Sequence, residues 1–555
     1  MRVVTTGRSR HVWISALCAL LGGLLSSSCA GIPPIAAPST PESARIRLAE
    51  LTRTLPPRPA EGGALDEWCN AQLYLRKARV MLAVYENSDI LMDCVSRELR
   101  NAEESLDRVR AGRGAPLLTG NREEGYYCDN DASFQPFVRY LPAAARRGKP
   151  LPMLVFLHGY CADYNVVNWQ GCIPLNLIAF AEREGYCIAA PFGRGNTDFQ
   201  GIGEQDVLNV MAEMKRRYQV DENRIILAGY SMGATGGWTL GAHYPDQFAG
   251  LFLVSGRGDY YFWHKTPRES LPVYKRRLID AEFAGSLTGN LRSIPIFCAH
   301  GARDDLVPVE EARTIVKAVR AVNPGLIYVE PPDADHGVWE AIFESRQVAS
   351  WINRCRRNPV LPAGYQAGHP RYNRAGVTNA PPACGPVKDA FLSPFVFVLA
   401  GDPADAGLQA RFTRAATDWF RFSKAMPRLS TEKTATPEQL ASCNVFLFGE
   451  PENSALIRKV LADSPVTVKG DRYIAGAKSF PRSGNGLYLV RPSPWNPAKR
   501  AVVQAGIPWG DRLPENHKYD ILPDYIVYSS TTYDDDDSNT ALAAGFFDAQ
   551  GRIAD

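Results

Sequence analysis

Arg224-Ile-Ile-Leu-Ala-Gly-Tyr-Ser-Met-Gly-Ala-Thr-Gly-Gly-Trp-Thr-Leu240 decides how this chain folds. An apolar run is followed by a Gly-x-Ser-x-Gly turn and then by a segment of small residues, which reads as strand, sharp turn and helix. In such an elbow the serine takes a strained backbone conformation. Gly229 and Gly233 are required because a side chain at either position would strike the neighbouring strand or helix. The expectation is an exposed nucleophilic hydroxyl at Ser231.

Working outward, the pattern from Tyr126 to about Arg357 alternates strands with helices. Strands are expected at Phe137 to Leu141, Met153 to Leu157, Cys187 to Ala190, Arg224 to Ala228, Leu251 to Ser255, Ile294 to Ala299 and Ile327 to Glu330. Amphipathic segments such as Ile173 to Arg183 and Gly203 to Tyr218 lie between them. Alternation of this kind predicts a mostly parallel sheet covered by helices on both faces. Ligands of such sheets bind beyond the carboxyl ends of the strands.

A serine hydroxyl is a weak nucleophile at neutral pH, so Ser231 needs a base and a carboxylate to orient that base. In this strand order they should follow as acid and then histidine. His300-Gly-Ala-Arg-Asp304 ends one downstream strand, and Asp333-Ala-Asp-His336 follows another. Asp304 is therefore expected to orient and His336 to act as general base. Asp305, Asp333 and Asp335 are rival carboxylates, and His264 is the rival base. His158 and His300 precede glycines in strand-end turns, where a structural role is expected. The developing oxyanion needs backbone donors. Met232, directly after the nucleophile, should give one, and Tyr160, after Leu157-His-Gly159, the other.

Residues 1–30 carry Arg2, Arg8 and Arg10, then the apolar run Val12 to Leu25, then Ser26-Ser-Ser-Cys29-Ala30, which reads as an export signal. Cys29 after small residues suits a lipid-acceptor cysteine and hence a membrane tether, with ordinary cleavage after Ala30 as the competing reading. A periplasmic or cell-surface lipoprotein, or a secreted protein, is the expectation. Without the three signal arginines the formal charge of +3 disappears. A neutral chain with no basic stripe is a poor nucleic-acid binder. Export permits disulfides. Cys69 with Cys94, Cys161 with Cys172 and Cys355 with Cys384 are the expected pairs, while Cys298 and Cys443 read equally as small buried hydrophobes. No cysteine spacing resembles a zinc site.

At 555 residues the chain is too long for one core. A Pro/Ala-rich tether is expected over 31–62 and a helical hairpin within 63–115. The α/β domain should occupy 120–357, a Pro/Gly-rich linker 358–386, and a second, smaller α/β domain 387–555. That last domain has no glycine-rich phosphate fingerprint after a strand. Its acidic run Asp534 to Asp537 reads as a solvated loop.

Leu157-His-Gly159, Gly229-x-Ser231-x-Gly233, His300-Gly-x-x-Asp304 and Asp335-His336, in this order, resemble the α/β-hydrolase superfamily. Pro191-Phe-Gly-Arg-Gly-Asn-Thr197 and the stretch on to Arg224 narrow the likeness. They resemble secreted bacterial feruloyl and acetyl esterases, polyhydroxyalkanoate depolymerases and the catalytic domain of prolyl oligopeptidases. The resemblance implies hydrolysis of an ester or amide through an acyl-serine, with no metal or organic cofactor. The substrate so implied is an ester, free or attached to a polysaccharide or other polymer. Aromatic residues in the insertion after Gly256, namely Tyr260, Tyr261 and Trp263, together with Trp169, are candidates to hold an aryl or sugar ring. A satellite core beneath the cap is the competing reading. An esterase is favoured over a peptidase because no propeller-like repeat precedes the hydrolase strands. A tethered binding protein that has lost activity is a third reading.

Overall fold

Eight strands carry the first α/β region: β1 (Gly120–Cys128), β2 (Ser133–Leu141), β3 (Leu151–Leu157), β4 (Cys187–Pro191), β5 (Val220–Tyr230), β6 (Gly250–Val254), β7 (Ile296–Ala299) and β8 (Ile327–Val329). They form one sheet in the order β1-β2-β4-β3-β5-β6-β7-β8. β1 and β2 are antiparallel, and β4, β3, β5, β6, β7 and β8 run parallel. The computed structural model describes residues 40–84, 89–162, 165–167, 169–366, 385–510, 513–530, 541–548 and 550–554. β3, β4, β6 and β7 are buried along their whole length. This follows from near-continuous apolar runs sandwiched by helices, with one core on each face of the sheet.

β1 had no apolar alternation to announce it. Its Glu123 and Glu124 are tolerated because each meets a cation. Lys77 sits 2.6 Å from Glu123, while Arg139 and Arg217 each lie 3.0 Å from Glu124. Lys77 comes from the helix Gly62–Val84, which with Asp89–Arg110 forms the expected helical pair and covers this edge strand. Close packing is possible because Gly125 lies under the helix. A Cβ there would stand 2.7 Å from Cys69 O.

The expected tether is corrected in part. Pro41–Arg53 is a helix, capped by reciprocal Thr40–Ser43 hydrogen bonds. It packs Ala44, Leu48 and Leu51 onto the helical pair, so these apolar residues have a core to enter. Residues 1–39, including the signal and Cys29, lie outside the described residues, as do most of the linker and Asp534 to Asp537. No helix among the described residues is long and apolar enough to cross a membrane.

The C-terminal region has strands β9 (Phe395–Ala400), β10 (Arg428–Thr431), β11 (Asn444–Gly449), β12 (Val466–Lys469), β13 (Arg472–Ala475), β14 (Lys478–Pro481), β15 (Asn485–Ser493), β16 (Asn496–Gly506), β17 (Tyr525–Ser529) and β18 (Ala543–Gly545). Seven form a mixed sheet, β10-β9-β11-β16-β15-β17-β18, and β12 to β14 form a separate small meander. This second α/β unit docks directly on the first one. Ile202 joins the core around Phe391 and Trp419. Phe395 N–H donates to Asn130 O (3.0 Å), and the buried Arg194 guanidinium donates to Ser423 O (3.1 Å).

The expected disulfides are corrected too. Cys69, Cys94 and Cys161 are free thiols. Cys69 sits where its helix meets β1, whereas Cys94 packs into the core between the helices, so the two face different neighbours. Burial pushes the Cys69 thiol up to about 11. Cys355 is a buried free thiol, and Cys384 lies outside the described residues. Cys298 and Cys443 are buried.

Candidate active site

Ser231 stands at the tip of β5 with φ 55° and ψ −121°, a left-handed region that ordinary residues avoid. The turn holds because Ser231 N–H donates to Val254 O at 2.9 Å, which pins the elbow to β6. The flanking glycines are required by space. A Cβ at Gly229 would stand 2.2 Å from Gly233 O, and one at Gly233 would stand 2.0 Å from Leu157 O. Both obstacles are backbone, so neither can rotate away. Gly233→Ala must push the helix Met232–His243 off β3. The expected cost is about 1–3 kcal/mol of overpacking. A nucleophile displaced by about 1 Å loses on the order of 10²-fold in activity. Thermal unfolding and turnover of the purified variant would check both, and wild-type behaviour would contradict the packing argument.

His336 bridges the serine to a carboxylate. Its Nε2 is 2.9 Å from Ser231 Oγ and its Nδ1 is 2.7 Å from Asp304 Oδ2. The geometry fits a ring that accepts from the serine hydroxyl and donates to Asp304. The loops that bring the pair together are interlocked: Arg303 N–H donates to Ala334 O, and a Cβ at Gly301 would stand 2.2 Å from Asp335 O. The rivals are placed elsewhere. Asp305 is exposed, Asp333 pairs with Arg303, and Asp335 Oδ1 accepts from Gly337 N–H. His264 stacks on Tyr260 with ring centroids 4.1 Å apart.

Two supports of the triad were not assigned from the sequence. Tyr230 OH and Ser255 Oγ both donate to His336 O, at 3.0 and 3.1 Å, and fix the backbone that carries the base. Ser255, at φ 57°, has as its only sequence signal its place at the end of a strand beside a glycine. The second is His300, expected only to shape a turn. Its Nε2–H is shared between Val307 O (2.8 Å) and Asp304 Oδ2 (3.1 Å), while its Nδ1 is buried without a hydrogen-bond partner.

Asp304 thus collects two imidazoles on Oδ2 and the N–H groups of Leu306 and Val307 on Oδ1. Burial pushes its carboxyl up, but these hydrogen bonds outweigh it and hold it well below the usual carboxylate range. A depressed native pKa gives stability that is full above the unfolded value, about 3.9, and is lost only as pH falls through the native value. Asp304 therefore stays ionised across the working range. The acid limb of the kcat/KM profile is expected to titrate one proton down to about pH 4. A two-proton limb would show that Asp304 is not held as described.

Met232 is the first residue of its helix, so its N–H has no acceptor within that helix. A methyl group at Gly159 would lie 3.5 Å from Ser231 Cβ, so the loop leading to Tyr160 runs beside the nucleophile. The Tyr160 ring itself is exposed. This loop is not braced by a Cys161–Cys172 bridge. The Asn196 side chain clamps it instead, accepting from Cys161 N–H (3.2 Å) and donating to Cys161 O (2.6 Å).

Of the ring-binding candidates, Tyr260 and Trp263 line a cavity facing the C-terminal domain. Trp169 does not serve. It is fully buried among Val138, Ala190 and Phe192, because the β2–β4 face needs a filling side chain there. Tyr261 is a strut of the cap, its hydroxyl donating to Asp280 at 2.8 Å. No three His, Cys, Asp or Glu side chains converge as a metal-ligand set among the described residues.

A chain with this strand order and a strained serine at the tip of its fifth strand has the α/β-hydrolase fold, and the histidine between that serine and a buried carboxylate has the geometry of a nucleophile–base–acid relay. Residues 192–358 match the prolyl oligopeptidase family. Over 158 residues, 26% of this chain and 17% of the relative, it is 27% identical to an uncharacterized secreted protein of Arthroderma benhamiae. It is 25% identical to a bifunctional acetylxylan esterase/xylanase of Neocallimastix patriciarum, covering 30% of this chain and 22% of the relative. Dipeptidyl-peptidase 5 of Porphyromonas gingivalis is also 25% identical, over 39% of this chain and 35% of its own length. The chain thus spans only 17–35% of the length of these curated relatives. Among solved structures, the ferulic acid esterase of Anaeromyces mucronatus covers 43% of this chain, and 92% of that chain is matched, at 18% identity and a TM-score of 0.32.

Proposed function

We propose that this protein is an exported serine esterase that cleaves carboxylic esters through an acyl-Ser231 intermediate. The observation that carries the reading is the assembled relay, Ser231 Oγ to His336 at 2.9 Å and His336 to Asp304 at 2.7 Å. His336 Nε2 takes the Ser231 proton as Oγ attacks the carbonyl carbon. Asp304 stabilises the imidazolium so formed, and the Met232 and Tyr160 N–H groups face the developing oxyanion. The imidazolium then protonates the leaving alcohol. In the second half His336 activates water, which releases the acid and restores Ser231.

Ester is favoured over peptide because the described residues ahead of the hydrolase sheet fold into helices, of which Gly62–Val84 lies on β1 and β2, where a peptidase of the prolyl oligopeptidase type carries a gating propeller. The esterase named among the relatives is in keeping with this and extends the proposal to esters linked to a polymer. The family match and the dipeptidyl-peptidase relative keep the peptidase as the second reading. Export rests on residues 1–30, with Cys29 as lipid acceptor and surface tether. The deciding experiment compares aryl acetates, methyl ferulate and prolyl-peptide anilides, with Ser231→Ala as background. Ester turnover is expected, and turnover of peptide anilides alone would reject the proposal.

A further inference from the structure

Between the segment after β6 and the C-terminal domain lies a cavity of about 230 Å³. The catalytic domain contributes Tyr260, Trp263 and Phe283 to its lining, and the C-terminal domain contributes Phe391, Phe422 and Tyr519. Neither domain alone encloses it. Its charged groups are neutralised in place: Lys388 lies 2.8 Å from Glu282, His517 lies 2.7 Å from Asp520, and Arg257 pairs with Asp198. Burial disfavours the His517 imidazolium, but Asp520 more than offsets this and raises it to about 9, so this pair too is ionic. Arg257 also lies over the Trp263 ring, 4.4 Å from its centroid.

The cavity wall is connected to the nucleophile. Arg257 N–H donates to Thr235 Oγ1 at 3.3 Å, and Thr235 stands four residues beyond Ser231, about 6 Å along the helix. The loop behind the wall is strained, with Asp198 and Phe199 at φ 51° and 54°. Strain of this kind collects at binding sites, where the surroundings must hold it.

From this lining we propose that the cavity is a binding site for one uncharged, single-ring aromatic group, with the C-terminal domain as its second wall. The size argument is direct: an apolar cavity of about 150 Å³ takes benzene, so about 230 Å³ takes a ring and a small substituent but not a fused pair. The charge argument is equally direct. A ligand carrying a net charge would have to break one of three ion pairs or be buried without a counter-ion. Ring faces and edges on both walls suit a flat aromatic guest. The proposal concerns binding, and it stands or falls separately from the ester chemistry.

The test is calorimetric titration of the full chain and of Ser231→Ala with 4-methylphenol, 4-methylbenzoate and 2-naphthol. Saturable binding of 4-methylphenol at one site per chain is expected, equal in the two proteins. The anion and the two-ring compound are expected to bind at least about tenfold more weakly. Leu392→Trp and Ile521→Trp place bulk from half-buried positions of the C-terminal wall into the cavity and should each weaken 4-methylphenol binding to the same degree. No saturable binding, or equal affinity for all three compounds, overturns the proposal without recourse to any variant. Undiminished binding by both folded variants overturns it as well.

Discussion

Ser231→Ala and His336→Ala are each expected to lower kcat for an aryl acetate on the order of 10⁶-fold, and the double variant no further. The near-equality is the informative part. Among the described residues Ser231 Oγ has no other base in contact and His336 no other nucleophile, so the first removal should already abolish the function of the second. What survives should be the smaller catalysis from binding and oxyanion donors. Ser231 fills no core, so Ser231→Ala should unfold at the wild-type temperature, whereas His336→Ala also takes a hydrogen bond from the buried Asp304 and should unfold somewhat lower. Labelling by a fluorophosphonate should be lost completely in Ser231→Ala. Additive losses in the double variant, or labelling that persists at another residue, would rule out Ser231 as nucleophile and His336 as its base.

Arg194→Met carries the largest stability effect. The Arg194 guanidinium is fully buried, 2.8 Å from Asp131 and 3.2 Å from Asp206, and it also donates to Ser423 O of the C-terminal domain. Asp206 accepts further from Tyr126 OH and Gly193 N–H. Methionine fills much of the same space but leaves two carboxylates in the interior without their cation. Breaking a buried pair from one side costs about 3–5 kcal/mol. Burial already pushes the Asp206 carboxyl up even with Arg194 beside it, and the substitution pushes it further. A carboxyl whose native pKa lies above its unfolded value loses stability as pH rises. The deficit of Arg194→Met measured by urea unfolding should therefore be smaller near pH 5 than near pH 8. A pH-independent deficit would mean that Asp131 and Asp206 are not both charged in the wild type.

Much of the scaffold was legible because period and composition act locally. Each of the seven catalytic strands expected from apolar runs is present, within a few residues at its ends. In the C-terminal domain β9, β11, β15, β16 and β17 likewise coincide with apolar runs around Phe397, Phe446, Leu489, Val502 and Val527. The strands that escaped are one whose polarity is resolved by a partner and several that are very short. β1 is readable only once Lys77, Arg139 and Arg217 face its glutamates. β10 and the meander β12 to β14 have 4 residues each and are partly exposed, too short for a period to stand out. Pro41–Arg53 was hidden by the proline-rich stretch around it, although its Thr40 cap and first-turn proline are ordinary start signals.

The sequence by itself picked out the candidate reacting groups. Ser231, Asp304 and His336 each sit just past an apolar run, and chain order alone assigned their roles, because strand ends are local features and loops after parallel strands converge on one side of the sheet. Only the tertiary structure decided what surrounds them. Whether His300 reaches Asp304, whether Asn196 or a disulfide holds the oxyanion loop, and whether Trp169 faces substrate or core depend on distances between side chains that the folded backbone sets, and no residue pattern encodes these. The same holds at larger scale. Aromatic residues at Tyr260 and Trp263 suggested a ring-binding surface, but the wall opposite them comes from residues beyond position 387. Docking of one domain on another is set by the complementarity of two finished surfaces, and those surfaces exist only after each chain segment has folded.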